Sequence, residues 1–145
     1  MFSRSAYPTV RNANFNAYRQ VAARTAVDGA SPHRLVTLLL DALMAELACA
    51  RGALARGDVA EKCLAIVHAV RIVEEGLKGS LDLQAGGVLA ERLESLYVYI
   101  MDRLTHANLH GDDTALQECM RLVGEVRAGW VGISDLVRAP VHATA

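Results

Sequence analysis

Proline is scarce in this 145-residue sequence and is confined to its ends. The three prolines are Pro8, Pro32 and Pro140, so residues 33–139 contain none. Proline breaks helix interiors, and its absence from a stretch rich in alanine, leucine, arginine and glutamate favours long helices. The sequence offers no strand candidate, so an all-α fold is expected.

Cysteines are also few, and no long apolar run is present. Cys49, Cys63 and Cys119 are odd in number and lack CxxC spacing, so we interpret them as reduced, buried side chains of a cytosolic protein. The longest apolar stretch, residues 35–50, is interrupted by Asp41 and Glu46 and is too short to span a bilayer. The N-terminus does not resemble a signal peptide, and a cytoplasmic location is expected.

The net charge of −1 argues against nucleic-acid binding, but the charge is unevenly distributed. Residues 1–34 hold five arginines and one aspartate, whereas the remainder carries a net charge of −5. Residues 1–30 also hold four of the seven aromatic side chains, Phe2, Tyr7, Phe15 and Tyr18. Exposed rings are unfavourable unless they dock. This segment is therefore predicted to be a cap with a short helix over 16–27, either pinned to its own bundle or acting as a displaceable lid.

Periodic apolar positions predict four long helices, over residues 32–56, 59–80, 88–110 and 113–138. Ser31 is a predicted N-cap, Gly57 and Asp58 separate the first two helices, and Gly111 and Asp112 separate the last two. Glu61 is expected to complete a capping box with Asp58. Such short connections require antiparallel neighbours. The fold class predicted is an all-α, antiparallel up-down four-helix bundle over residues 31–139, with a disordered tail at 140–145.

No catalytic residue, cofactor or metal site is predicted, and the protein is expected to work by binding another chain. Two alternatives remain open. Asp102, His106 and His110 share one helix face and could bind a divalent metal. A histidine-phosphotransfer bundle would use His68 or His106, although neither is followed by the expected pattern.

The first predicted helix is apolar over more than one face, which indicates either the most buried helix or a groove for a partner's amphipathic helix. Trp130 falls in the apolar stripe of the fourth helix and is assigned to the core.

Several short motifs, in this order and spacing, resemble the flagellar secretion chaperone family FliS over about residues 16–131. The matching residues are Asn16-Ala17-Tyr18, Ser31-Pro32 with Leu35, Ser80-Leu81-Asp82, Gly86-Gly87, Leu96-Tyr97, Tyr99-Ile100, Arg103-Leu104, Ala107-Asn108, Arg127 and Trp130. One departure is Leu39-Leu40-Asp41-Ala42, where the family often has Leu-Tyr-Asp-Gly.

The resemblance implies a cytosolic chaperone that binds the C-terminal segment of newly made flagellin. Such a chaperone prevents premature polymerisation and delivers flagellin to the export apparatus, and other flagellar regulators are further potential partners. The implied fold is a helical bundle with a movable N-terminal cap, and the client wraps around the bundle. The residues expected to contact the partner are Asn16, Ala17, Tyr18, Leu39, Leu40, Tyr97, Tyr99, Arg103 and Asn108.

Overall fold

The structure, a computed structural model, describes the backbone of residues 31–144 and the side chains of residues 31–133. The described part is helical throughout, with short turns between helices and no strand, so the all-α prediction is confirmed. The elements in chain order are α1 (Pro32–Arg56), α2 (Val59–Arg71, continued by a π-helical segment, Ile72–Lys78), α3 (Leu83–His110) and α4 (Asp113–Thr144). The cap predicted for residues 1–30 lies outside the described residues.

The four helices form an antiparallel bundle. Helix α1 packs against α2 and α4, and α3 packs against the same two helices from the other side. Over the described residues the backbones of α1 and α3 do not approach each other closely, so these two helices lie diagonally opposite each other. The core is built from one apolar stripe of each helix, and its largest fully buried aliphatic members are Leu40, Leu43, Leu47, Ile66, Leu77, Ile100, Leu104 and Leu116.

One end of the bundle, which we call the closed end, carries the turns at Gly57-Asp58 and Gly111-Asp112. Gly57 and Gly111 adopt left-handed conformations, with φ of 74° and 62°, which glycine enters without a Cβ penalty. Asp58 Oδ1 accepts the backbone N–H of Glu61 at 3.1 Å and so caps α2. Both predicted helix boundaries are confirmed.

Polar contacts join the helices at the closed end. Arg51 on α1 donates from Nε and Nη2 to the carboxylate of Asp113 on α4, at 2.8 and 3.0 Å. Lys62 on α2 is buried, and its Nζ donates to the backbone oxygen of Asn108 on α3 at 2.9 Å. The ammonium group is thereby paired with a carbonyl at the end of α3, where the helix dipole favours a cation.

The opposite end, which we call the open end, collects the beginnings of α1 and α3 and the ends of α2 and α4. Here α2 widens into the π-helical segment, and a connection over residues 79–82 leads to α3. Gly87 has φ 56° and ψ −136°, which are not helical values, so α3 is kinked at this residue. The residues before Gly87 form a short helical turn of their own. Leu83, Val88 and Leu89 are exposed beside this kink. The open end therefore presents apolar side chains to solvent.

Three local expectations are corrected. Asp58 donates its N–H to Ala53 O rather than to Glu61, whose carboxylate accepts the Cys49 thiol, so only half of the capping box forms. The end of α2 is π-helical rather than α-helical. Helix α4 continues past Pro140 to Thr144. Proline removes one helical hydrogen bond there, but its fixed φ is compatible with a helix.

Candidate functional site

An apolar cavity of about 510 Å³ lies at the open end, between α1, the end of α2 and α4. The first two turns of α1 form one wall, the π-helical segment forms the second, and Trp130 of α4 forms the third. The lining residues are Pro32, His33, Leu35, Val36, Leu39, Gly76, Ser80 and Trp130. The surface is almost entirely hydrocarbon, so it suits an apolar side chain rather than a charged ligand.

The wall formed by Trp130 is held in place by a reciprocal contact with His33. Trp130 Nε1 donates to the backbone oxygen of His33 at 3.0 Å, and His33 Nε2 lies 2.7 Å from the backbone oxygen of Trp130. The two rings are stacked, with centroids 4.7 Å apart and planes 12° apart. A carbonyl accepts only from a protonated nitrogen, so His33 Nε2 carries the proton in this contact. The contact fixes the beginning of α1 against α4 at the rim of the cavity.

A polar cluster lies on a different surface, between α3 and α4. Tyr99 Oη donates to Glu118 Oε2 at 2.6 Å, and Arg103 Nε donates to Glu118 Oε1 at 2.8 Å. The hydrogen bond from Tyr99, followed by that from Arg103, lowers the pKa of Glu118. The same bond raises the pKa of Tyr99. The cluster therefore keeps its carboxylate ionised and its phenol protonated near neutral pH.

The residues predicted to contact a partner are separated by the fold. Leu39 lines the cavity, whereas Tyr99 and Arg103 lie on α3, which is diagonally opposite α1 in the bundle. Asn108 is half-buried and holds Lys62 through its backbone oxygen. Asn16, Ala17 and Tyr18 lie outside the described residues.

Two residues of that set lie in the core. Leu40 is 1% exposed and Tyr97 is 3% exposed, so neither presents its side chain at the surface in this arrangement. Burial also raises the pKa of the Tyr97 phenol. Leu40 follows Leu39 in sequence and therefore points about 100° away from it around α1, into the bundle.

The assignment of Trp130 to the core is confirmed in part, because the half-buried ring packs against the core and also lines the cavity. The sequence signal was present but weak, since a single tryptophan in an apolar stripe has the same spacing whether it packs inward or at a groove. Cys119 is buried as expected, and burial raises the pKa of its thiol to about 12. Cys49 and Cys63 are half-buried.

The two alternative sites gain no support from the geometry. His68 is 2% exposed and lies 3.5 Å from Glu46, so a phosphoryl donor cannot reach it. The rings of His106 and His110 have centroids 4.5 Å apart and planes tilted by 48°, and His106 Nε2 lies 3.2 Å from Asp112 Oδ2. Within residues 31–133 no three acidic, histidine or cysteine side chains are grouped as metal ligands.

No helix in the described part of the chain combines the length and the apolar character needed to cross a bilayer.

An antiparallel helical bundle with an open apolar cavity belongs to the class of helical bundles suited to binding another chain. Comparison with known proteins then identifies the family. The sequence model of the flagellar protein FliS family matches residues 14–137. The chain belongs to this family.

Curated relatives are similar over most of their length. The flagellar secretion chaperone FliSB of Pseudomonas aeruginosa is 43% identical over 117 residues, 81% of this chain and 92% of the relative. FliS of Salmonella typhimurium is 41% identical over 118 residues, covering 81% and 87%. FliS of Escherichia coli is 33% identical over 114 residues, covering 79% and 84%.

Proposed function

We propose that this chain is a cytoplasmic flagellar secretion chaperone that binds the C-terminal segment of newly made flagellin and brings it to the export apparatus. The observation that carries the proposal is the open apolar cavity in a member of a family whose curated relatives are named flagellar secretion chaperones. The proposed activity consists of binding and releasing this segment, and it needs no covalent chemistry.

The cavity suits a client that is unfolded before binding. A polymerisation segment exposes an amphipathic strip, and such a strip places one large apolar side chain on the same face every three or four residues. One of these side chains enters the cavity against Leu39 and Trp130. Flanking parts of the client extend to the α3 surface, where Tyr99 and Arg103 offer polar contacts. Leu40 and Tyr97 support these walls from within the core.

The same proposal gives Asn16, Ala17 and Tyr18 the role of a cap that the client displaces. The described chain begins at Ser31, immediately before Pro32 and His33 in the cavity wall, so residues 1–30 are attached at its rim. A cap that competes with the client lowers the fraction of binding-competent protein and hence the apparent affinity. Deleting residues 1–20 should therefore tighten client binding, and weaker binding would show that the segment contacts the client directly.

The direct test is titration calorimetry with a peptide of about 40 residues from the C-terminus of the host's flagellin, at two temperatures. We expect one-to-one binding with a negative heat-capacity change, because apolar surface is buried and the peptide folds on binding. Leu39→Ala should weaken binding. The matched control is Leu109→Ala, which truncates an exposed leucine at the closed end and should leave the affinity unchanged. Absence of binding by both the full chain and the deletion variant would overturn the proposal.

A further inference from the structure

Gly76 lies in the π-helical segment and lines the cavity together with Leu39, whose side chain packs against it. A Cβ built on Gly76 would lie 3.0 Å from Leu39 Cδ2 and 3.1 Å from Leu39 Cδ1. Such distances are shorter than ordinary van der Waals contact between carbon atoms. The missing side chain therefore lets the leucine lie back against the helix backbone, out of the cavity.

The backbone does not explain why glycine occupies this position. The glycines with positive φ in the described chain are Gly57, Gly87 and Gly111, and Gly76 is not among them. Alanine is conformationally acceptable in such a segment and is the better helix former. The close approach of Leu39 is thus the feature that distinguishes glycine from alanine at this position.

An added methyl group at position 76 can be accommodated in one direction only. The atoms in contact are the ends of the Leu39 side chain, which can move by rotation. The other side of Leu39 packs against the buried core, and core atoms are close-packed. The free space next to this side chain is the cavity, so Leu39 would rotate into it.

We propose that Gly76 sets the depth of the cavity through Leu39 and thereby determines the size of the apolar side chain that a client can insert. The inference rests on the proposed function for the identity of the client, but the depth of the cavity can be measured without one. The π-helical segment supports this role, because such segments occur often where a helix has been reshaped around a functional site.

The experiment uses a set of four proteins: the wild type, Gly76→Ala, Leu39→Val, and the double variant. The double variant adds one methyl group and removes one methylene, so the total side-chain volume is that of the wild type. Gly124→Ala is the matched control, because a Cβ at this α4 glycine meets nothing within 4 Å. Urea unfolding of each variant verifies that the bundle is intact.

Iodobenzene is the probe, since apolar protein cavities bind benzene-like molecules and iodine quenches indole fluorescence. Trp130 is the only tryptophan of the chain and forms a wall of the cavity, so saturable quenching reports occupancy directly. We expect iodobenzene to bind Gly76→Ala about fourfold more weakly than wild type, which corresponds to the loss of space for roughly one methylene group. The double variant should regain most of the affinity, and Gly124→Ala should match the wild type.

The inference is overturned if the wild type shows no saturable quenching, if Gly76→Ala binds iodobenzene as tightly as the wild type, or if the double variant fails to recover. The flagellin peptide is titrated into the same proteins. Peptide affinities that follow the iodobenzene affinities support both the inference and the proposed function. If iodobenzene distinguishes the variants but the wild type does not bind the peptide, the depth of the cavity stands and the proposed client is wrong.

Discussion

The two ends of the bundle differ in how they connect antiparallel helices. At the closed end, left-handed glycines and aspartate caps satisfy the helix ends locally, and polar contacts such as Arg51 with Asp113 join neighbouring helices. At the open end, α2 widens, α3 is kinked at Gly87, and a cavity remains between three helices. The closed end is joined by short, capped turns, whereas the concave apolar surface suited to a partner lies where the connections are irregular.

The largest effect that separates the two regions is expected within α1 itself. Leu47 is fully buried, whereas Leu39, two turns nearer the open end, borders the cavity. Truncating Leu47 to alanine should lower the free energy of unfolding by about 3 kcal/mol, because it leaves a void in packed core. Leu39→Ala should lower the free energy of unfolding by only about 1 kcal/mol, because it enlarges the open cavity instead of creating a new void in the core.

Urea denaturation measures both losses of stability. Titration with the flagellin peptide should rank the two variants in the opposite order. Leu39→Ala should weaken peptide binding. Leu47→Ala should leave the peptide affinity of the folded molecules unchanged. Equal losses of stability for the two leucines would show that the cavity is closed in solution and that the comparison of the two ends is incorrect.

A smaller effect is expected at the closed-end turn. Gly57→Ala places a Cβ in a left-handed conformation with φ of 74°, which should reduce the free energy of unfolding by about 1–2 kcal/mol. No atom lies within 4 Å of the new Cβ, so the loss is conformational rather than steric. Thermal unfolding measures it, and peptide affinity should not change. A loss of affinity would mean that the closed end also contributes to the site.

The smallest effect should come from the ion pair at the closed end. Hydrogen bonds from Arg51 and then Gln117 lower the pKa of Asp113, so this carboxylate stabilises the fold above its unfolded-state pKa of about 4. That contribution is lost as the pH falls through the lowered, folded-state value. Asp113→Asn should therefore reduce stability at pH 7 by no more than about 1 kcal/mol, because the pair is partly exposed and screened by salt.

Urea midpoints of the wild type and Asp113→Asn at pH 7 and pH 3 provide the measurement. The difference between the two proteins should narrow at the lower pH. A difference that stays constant would indicate that Asp113 stabilises the fold through contacts that do not depend on its charge.

The closed end could be predicted from the sequence almost to the residue, because its structure depends on local chemistry. A glycine that enters the left-handed region and an aspartate that accepts a backbone N–H determine where a helix ends and the next begins. Gly57 with Asp58, and Gly111 with Asp112, are sufficient to make α1 antiparallel to α2 and α3 antiparallel to α4.

The open end was less predictable, because its structure depends on packing between helices. A π-helical segment has no periodic signature in a short sequence, and Gly76 reads as an ordinary helix glycine until Leu39 is seen beside it. The family motif identified Leu39 and Leu40 together, but a motif does not state which side chain faces the cavity. The position of Leu40 in the stripe with Leu43 and Leu47 is the signal that could have assigned it to the core.

The antiparallel arrangement has a practical consequence for handling the protein. Helix α1 begins at Pro32 and α4 ends at Thr144, and in an up-down bundle both directions lead to the open end. A purification tag or fluorescent fusion joined directly to the end of α4 is therefore tethered on the side of the cavity, where it can compete with a client or shield it. The turn at Gly111 lies at the far end, so a short epitope inserted there marks the molecule without approaching the cavity.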